Sequence, residues 1–115
     1  MALELIVPAD QYELQHASGA VFVMRYWTTA MQEDVDRRCI SVDQATKELS
    51  YNAPLEREIK IEQCLVSWRG VASKGKEIEC SPESKKMLPP GVRLWIIKDV
   101  DERAGLRMPE DEKKT

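Results

Sequence analysis

Few residues of this 115-residue sequence could do covalent chemistry: one histidine, His16, and three cysteines, Cys39, Cys64 and Cys80, set among many carboxylates. A cysteine nucleophile would need His16 beside one of the thiols, yet all three thiols stand in apolar contexts with nothing nearby to favour a thiolate. The same four side chains are soft enough for zinc, but zinc ligands come in close pairs and no CxxC is present, so no metal is expected. An odd number of widely spaced cysteines is also poor material for a disulfide framework. The sequence holds no GxGxxG, GxxxxGK[ST] or HExxH. Neighbouring acids such as Glu33 with Asp34, Glu56 with Glu58, and Asp99 with Asp101 are frequent enough to be a solvated face. The expectation is a protein that is not an enzyme, with no catalytic residue and no cofactor.

Binding is what remains, and it points to the tryptophans. Trp27, Trp68 and Trp95 are large, scarce side chains of a kind that anchors both interfaces and cores. With Leu65 they form the candidate partner-binding set. Packing competes with that role: it is favoured for Trp95, within an apolar run, and for Trp68, while Trp27 suits either. His16 is expected to be solvent-exposed in a connecting segment.

The elements that must position these residues follow from periodicity. LELIV (3–7) and AVFVMRYW (20–27) read as two strands joined through DQYELQHASG, with Gly19 turning into the second. Thr29 with Gln32 has capping-box spacing, and Met31, Val35 and Cys39 recur every fourth residue, which predicts a helix over 30–39. Ser41 with Gln44 repeats that spacing, and Val42, Ala45 and Leu49 give a second short helix a face. Pro54 opens a longer helix through Trp68, ended by Gly70. The alternation of Ile59 and Ile61 also suits a strand, but length and helix-forming composition favour the helix. On it Ile61, Cys64, Leu65 and Trp68 share one face, and Leu55, Ile59 and Val66 another. A weak hairpin or loop centres on Gly75, Ser81-Pro82-Glu83 starts a short helix, and a last helix spans 92–103 with Val92, Trp95, Ile96 and Val100 on one side.

The resulting fold class is α+β: a short N-terminal strand pair packed against several helices, predominantly helical after residue 28. Residues 1–105 form one small domain, and 106–115 form a disordered charged tail. An apolar fraction of 43%, a charged fraction of 32% and a net charge of −3 are ordinary for a folded protein. Without a basic stripe the chain offers no footprint for nucleic acid. No apolar run nears the ~18 residues of a membrane span, and the N-terminus has no signal-peptide character, so a cytoplasmic protein without membrane contact is expected.

The order of elements carries a resemblance. A strand VFVMRYWT, an amphipathic helical segment, a helix ending in LVSWRGV, a glycine-containing loop and an SPE helix together resemble the tail assembly chaperones of long-tailed phages and prophages, over roughly residues 20 to 100. Leu65, Val66, Trp68, Gly70 and Val71 stand at that family's signature. The resemblance implies a non-catalytic protein that coats the long, hydrophobic, helical tape-measure protein until tail-tube subunits replace it. Its partner would be a protein, with homo-oligomers possible. The alternative is a small structural virion component, a head-tail or tail-tube adaptor acting through ring self-assembly. The Pro89-Pro90 break and the charged tail depart from the family pattern.

Overall fold

A computed structural model describes residues 9–106 together with Leu3, Leu5 and Val7. The fold is α+β, as expected, but several elements lie elsewhere than the periodicity suggests. Strand β1 is Gln11–Gln15, inside the segment expected to be a connection. Its alternation is clean: Tyr12 and Leu14 turn inward while Gln11, Glu13 and Gln15 stay exposed. Leu3, Leu5 and Val7 are exposed and in no strand; the rest of the expected strand at 3–7, like the tail beyond Leu106, lies outside the described residues. Strand β2, Val21–Arg25, is antiparallel to β1, the two joined by a turn in which the His16 amide donates to the Ala20 carbonyl.

Helix α1, Thr29–Cys39, is capped one residue earlier than expected, by Thr28, whose hydroxyl accepts from the Met31 amide. Gln32 instead accepts the indole N–H of Trp27 at 3.0 Å. Val35 and Cys39 are buried on its inner side, as the four-residue spacing predicts. The segment expected to be a second short helix is a hairpin: β3, Ile40–Val42, pairs antiparallel with β4, Leu49–Tyr51. Asp43 decides the matter locally. Its carboxylate accepts from the Ala45 and Thr46 amides at 2.8 and 3.2 Å, and Lys47 closes the turn at φ 61°. Short acidic side chains compete in this way with helical backbone bonds.

Helix α2, Ala53–Cys64, has Asn52 as its cap and Pro54 in its first turn. It stops four residues before Trp68 and passes without a linker into strand β5, Leu65–Arg69. This corrects the expected helix through Trp68. β5 pairs antiparallel with β2, completing a three-stranded sheet in the order β1-β2-β5. Met24 faces Leu65 and Phe22 faces Trp68, with the register shifting between Val23 and Met24 so that Val66 is the extra residue of a bulge. The bulge returns Leu65 and Trp68, three apart, to the same face, whereas a regular strand would place them on opposite faces. Two rows result on that face, Tyr12-Met24-Leu65 and Leu14-Phe22-Trp68.

The remainder follows the expected order. β6, Ala72–Ser73, and β7, Lys76–Glu77, form a hairpin whose central Lys74 and Gly75 both take positive φ, as a type I′ turn requires. α3, Pro82–Lys85, carries a Ser81 capping box, and α4, Pro90–Arg103, buries Ile96, Ile97 and Val100. Helices α2 and α4 pack against each other, with α2 against β2 and β5. From α4, Asp99 reaches Tyr12 and the Trp95 ring reaches Phe22. The other sheet face carries an exposed ion pair between the edge strands, Arg69 to Glu13 at 2.7 Å.

Gly70 ends β5 at φ 77°, where a Cβ would lie 3.3 Å from the Ala20 Cα and 3.4 Å from the Gly19 carbonyl oxygen. Gly75 has a similar φ, 79°, with open space around it. Gly70→Ala is therefore expected to cost about 2 kcal/mol and Gly75→Ala about 1 kcal/mol, because only the first adds a backbone clash to the left-handed strain. Urea unfolding of the two variants checks the difference.

Candidate functional site

Of the candidate partner-binding residues, two are core. Leu65 is 1% exposed and Trp27 4% exposed, so neither offers a partner any surface in this conformation. Trp68 is half-buried on β5: its ring meets Phe22 edge-on at 6.2 Å and its indole N–H donates to the Ile78 carbonyl at 2.7 Å. That bond ties β5 to the segment after the β6–β7 hairpin. Trp95, also half-buried, lies between Phe22 and His16, whose ring stands edge-on to it at 4.8 Å. His16 is thus half-covered rather than free in solvent, and its Nδ1 lies 2.7 Å from the Ser18 hydroxyl. The four candidates form no single surface cluster.

The thiols give no activated nucleophile. Burial pushes all three above their usual 9.0, Cys64 to about 12, which keeps them protonated near neutral pH. Among the described residues no three of His, Cys, Asp or Glu converge as metal ligands would.

The polar centre of the molecule is one that sequence reasoning missed. Lys60 is 3% exposed, and its ammonium lies 2.6 Å from Glu56 and 2.6 Å from Asp101, with the Trp27 ring centroid at 5.8 Å. The Tyr51 hydroxyl donates to the other oxygen of Glu56. Burial alone would push Lys60 down, but its hydrogen bonds to Asp101 and Glu56 raise it above its usual 10.5. Burial likewise pushes Glu56 up, and the bonds from Lys60 and Tyr51 outweigh that and hold it below 4.5. Burial and the bond to Glu56 raise Tyr51. This network joins α2, α4 and the end of β4. Its one sequence signal was the Glu56-Lys60 spacing on a helix. A second polar clasp holds α4 to the sheet: Tyr12 donates to Asp99 at 2.8 Å, Asp99 accepts from Arg103, and the Arg103 guanidinium lies 4.0 Å from the Tyr12 ring centroid.

The β3–β4 hairpin gathers exposed apolar side chains on one face. Ile40 opposes Tyr51 and Val42 opposes Leu49, so all four side chains lie on one face of the ribbon, with exposures of 45, 45, 46 and 72%. The other face pairs Ser41 with Ser50, whose hydroxyls are 2.6 Å apart. Two apolar-Ser-apolar triplets, ISV and LSY, around a polar turn were the period-two signal for this ribbon. A hairpin with one apolar face open to water is marginal alone, and such a face marks a binding surface.

Compared with protein families, with curated proteins and with solved structures, the chain matches none. Among the described residues no helix is long and apolar enough to cross a membrane. The fold and its surfaces define a small α+β structure with a buried apolar core and an apolar ribbon open to solvent.

Proposed function

We propose that the chain is a cytoplasmic phage or prophage tail assembly chaperone that holds the hydrophobic, helical tape-measure protein in solution. The observation that carries this reading is the apolar ribbon face of Ile40, Val42, Leu49 and Tyr51, which stands open to solvent. A protein that must cover apolar helix for a time and then release it needs accessible apolar surface, not a reaction centre. The LVSWRGV segment and the following SPE helix support the same reading by resemblance. Trp68 and Gly70 within it have structural roles, one clasping β5 to Ile78 and the other clearing Ala20.

The reading expects a long apolar helical protein to be encoded beside this gene, and co-expression with it is the test. The expected result is a soluble complex with the wild-type chain and at least a tenfold weaker one with Val42→Thr/Leu49→Thr. Threonine keeps β-propensity while removing apolar surface, and both positions are exposed, so the fold is retained. A folded wild-type chain that leaves its neighbour insoluble overturns the reading. Stable closed rings of the chain alone, by light scattering, would favour the structural virion component instead.

A further inference from the structure

A second exposed surface lies between the N-terminal halves of α2 and α4 and shares no residue with the ribbon. It consists of two depressions that both border on Arg57, Leu94 and Ile97 and so run into one groove. The floor is apolar: Leu88 and Ile97 are 8% exposed, and Leu94 stands 57% exposed above them. The rim is cationic. Arg57, Lys86, Arg93 and Lys98 line the groove, against Glu56, Glu58 and Asp101, and of these carboxylates Glu56 and Asp101 are already bridged to Lys60.

Among the described residues Arg57, Lys86 and Arg93 form no ion pair, whereas Arg37, Arg38, Lys60, Arg69 and Arg103 are each bridged to a carboxylate. A chain of net charge −3 has carboxylates to spare. An apolar floor beside unbridged cations on a chain of net negative charge is a local reversal of charge that a complementary ligand would satisfy. We propose that this groove docks an amphipathic α-helix of a partner protein, one whose apolar stripe is flanked by glutamate or aspartate.

The shape argues for a helix. On α2 the groove presents Pro54 and Arg57, and on α4 Pro90, Leu94 and Ile97, spaced three or four residues apart as the ridges that receive a third helix are. The partner's leucine-type residues would seat on Leu88, Leu94 and Ile97, and its carboxylates would meet Arg57 and Arg93, whose planar guanidinium groups suit two-point pairing with carboxylate. Among the described residues the chain does not supply such a helix itself: α2 and α4 form the groove, and the apolar side of α1 is closed in the core by Val35 and Cys39.

The test uses the full chain and a fluorescein-labelled synthetic peptide of about five helical turns, with a leucine stripe flanked by glutamates, titrated by anisotropy. A peptide with lysine at every glutamate position is the comparison. The acidic peptide is expected to bind at least tenfold more tightly than the basic one, and more weakly as salt rises. Arg57→Glu/Arg93→Glu should abolish the preference, and Leu94→Asp should weaken binding at least tenfold; all three positions lie on the surface, and circular dichroism confirms the fold. Equal affinity for the two peptides, or unchanged binding by these variants, overturns the proposal. So does self-association of the chain that Leu94→Asp dissolves, which would make a second copy the occupant. Val42→Thr/Leu49→Thr should bind the acidic peptide normally, so the groove and the ribbon stand or fall separately.

Discussion

Phe22→Ala is expected to lower stability by about 4 kcal/mol, the largest effect of any single truncation argued for this domain. Phe22 is 1% exposed on the central strand, flanked in register by Leu14 and Trp68. The Trp68 and Trp95 rings close over it at 6.2 and 6.1 Å, at 84° and 59° to its plane. Alanine would remove the ring around which both indoles are placed, and neighbours fixed by the sheet and α4 cannot collapse into the space. Since a domain has only about 5–15 kcal/mol in all, much of the population would be unfolded at moderate urea. Urea titration should show a lower midpoint with an unchanged slope. A loss under about 1 kcal/mol would mean that the tryptophans do not form a closed layer over this strand.

Lys60→Ala is the second, with an expected loss of about 3 kcal/mol. The ammonium bridges Glu56 on α2 and Asp101 on α4, and its removal leaves two carboxylates facing each other with side chains only 24 and 17% exposed. Neutralising both acids, as Lys60→Met/Glu56→Gln/Asp101→Asn, should recover much of the loss, because the cost is that of unpaired charge rather than of lost attraction. The pH dependence supplies an independent check. Glu56 is held below 4.5 in the folded chain, so its contribution is present above that value and disappears as acid protonates it. Lys60 is held above 10.5, so its contribution is full below that value and disappears as base deprotonates it. Wild-type stability should therefore fall on both sides of a plateau from roughly pH 5 to pH 9, the alkaline fall beginning with the thiols that burial holds above 9.0, and Lys60→Met should flatten the fall at the acid end.

The fold was legible where local chemistry dominates. Four-residue spacing in α1, Pro54 and Pro82 at helix starts, and the Lys-Gly turn at 74–75 all specify their elements with little help from the rest of the chain. The errors fall where spacing was ambiguous. Leu65 and Trp68 stand three apart, which is helical spacing, and only the bulge at Val66 makes it strand spacing as well. Tyr12 and Leu14 alternate correctly, but their polar neighbours have little intrinsic strand preference, so β1 forms because β2 is there to pair with it. In the β3–β4 hairpin, side-chain capping by Asp43 overrode a pattern that also suited a helix.

The sequence by itself determined that this is an α+β domain with little material for a reaction centre, because composition, spacing and the lack of close ligand pairs are local properties of the chain. Tertiary structure alone decided which apolar residues stay outside. A tryptophan or a leucine carries the same sequence signal whether it fills a core or faces a partner. Pairing across the sheet buried Leu65 beside Met24 and packing closed Trp27 in, while the ribbon kept Val42 and Leu49 exposed. The same folding joined Glu56, Lys60 and Asp101, and left Arg57 and Arg93 unbridged beside Leu94. Burial depends on what lies opposite, and what lies opposite is fixed by contacts far apart along the chain.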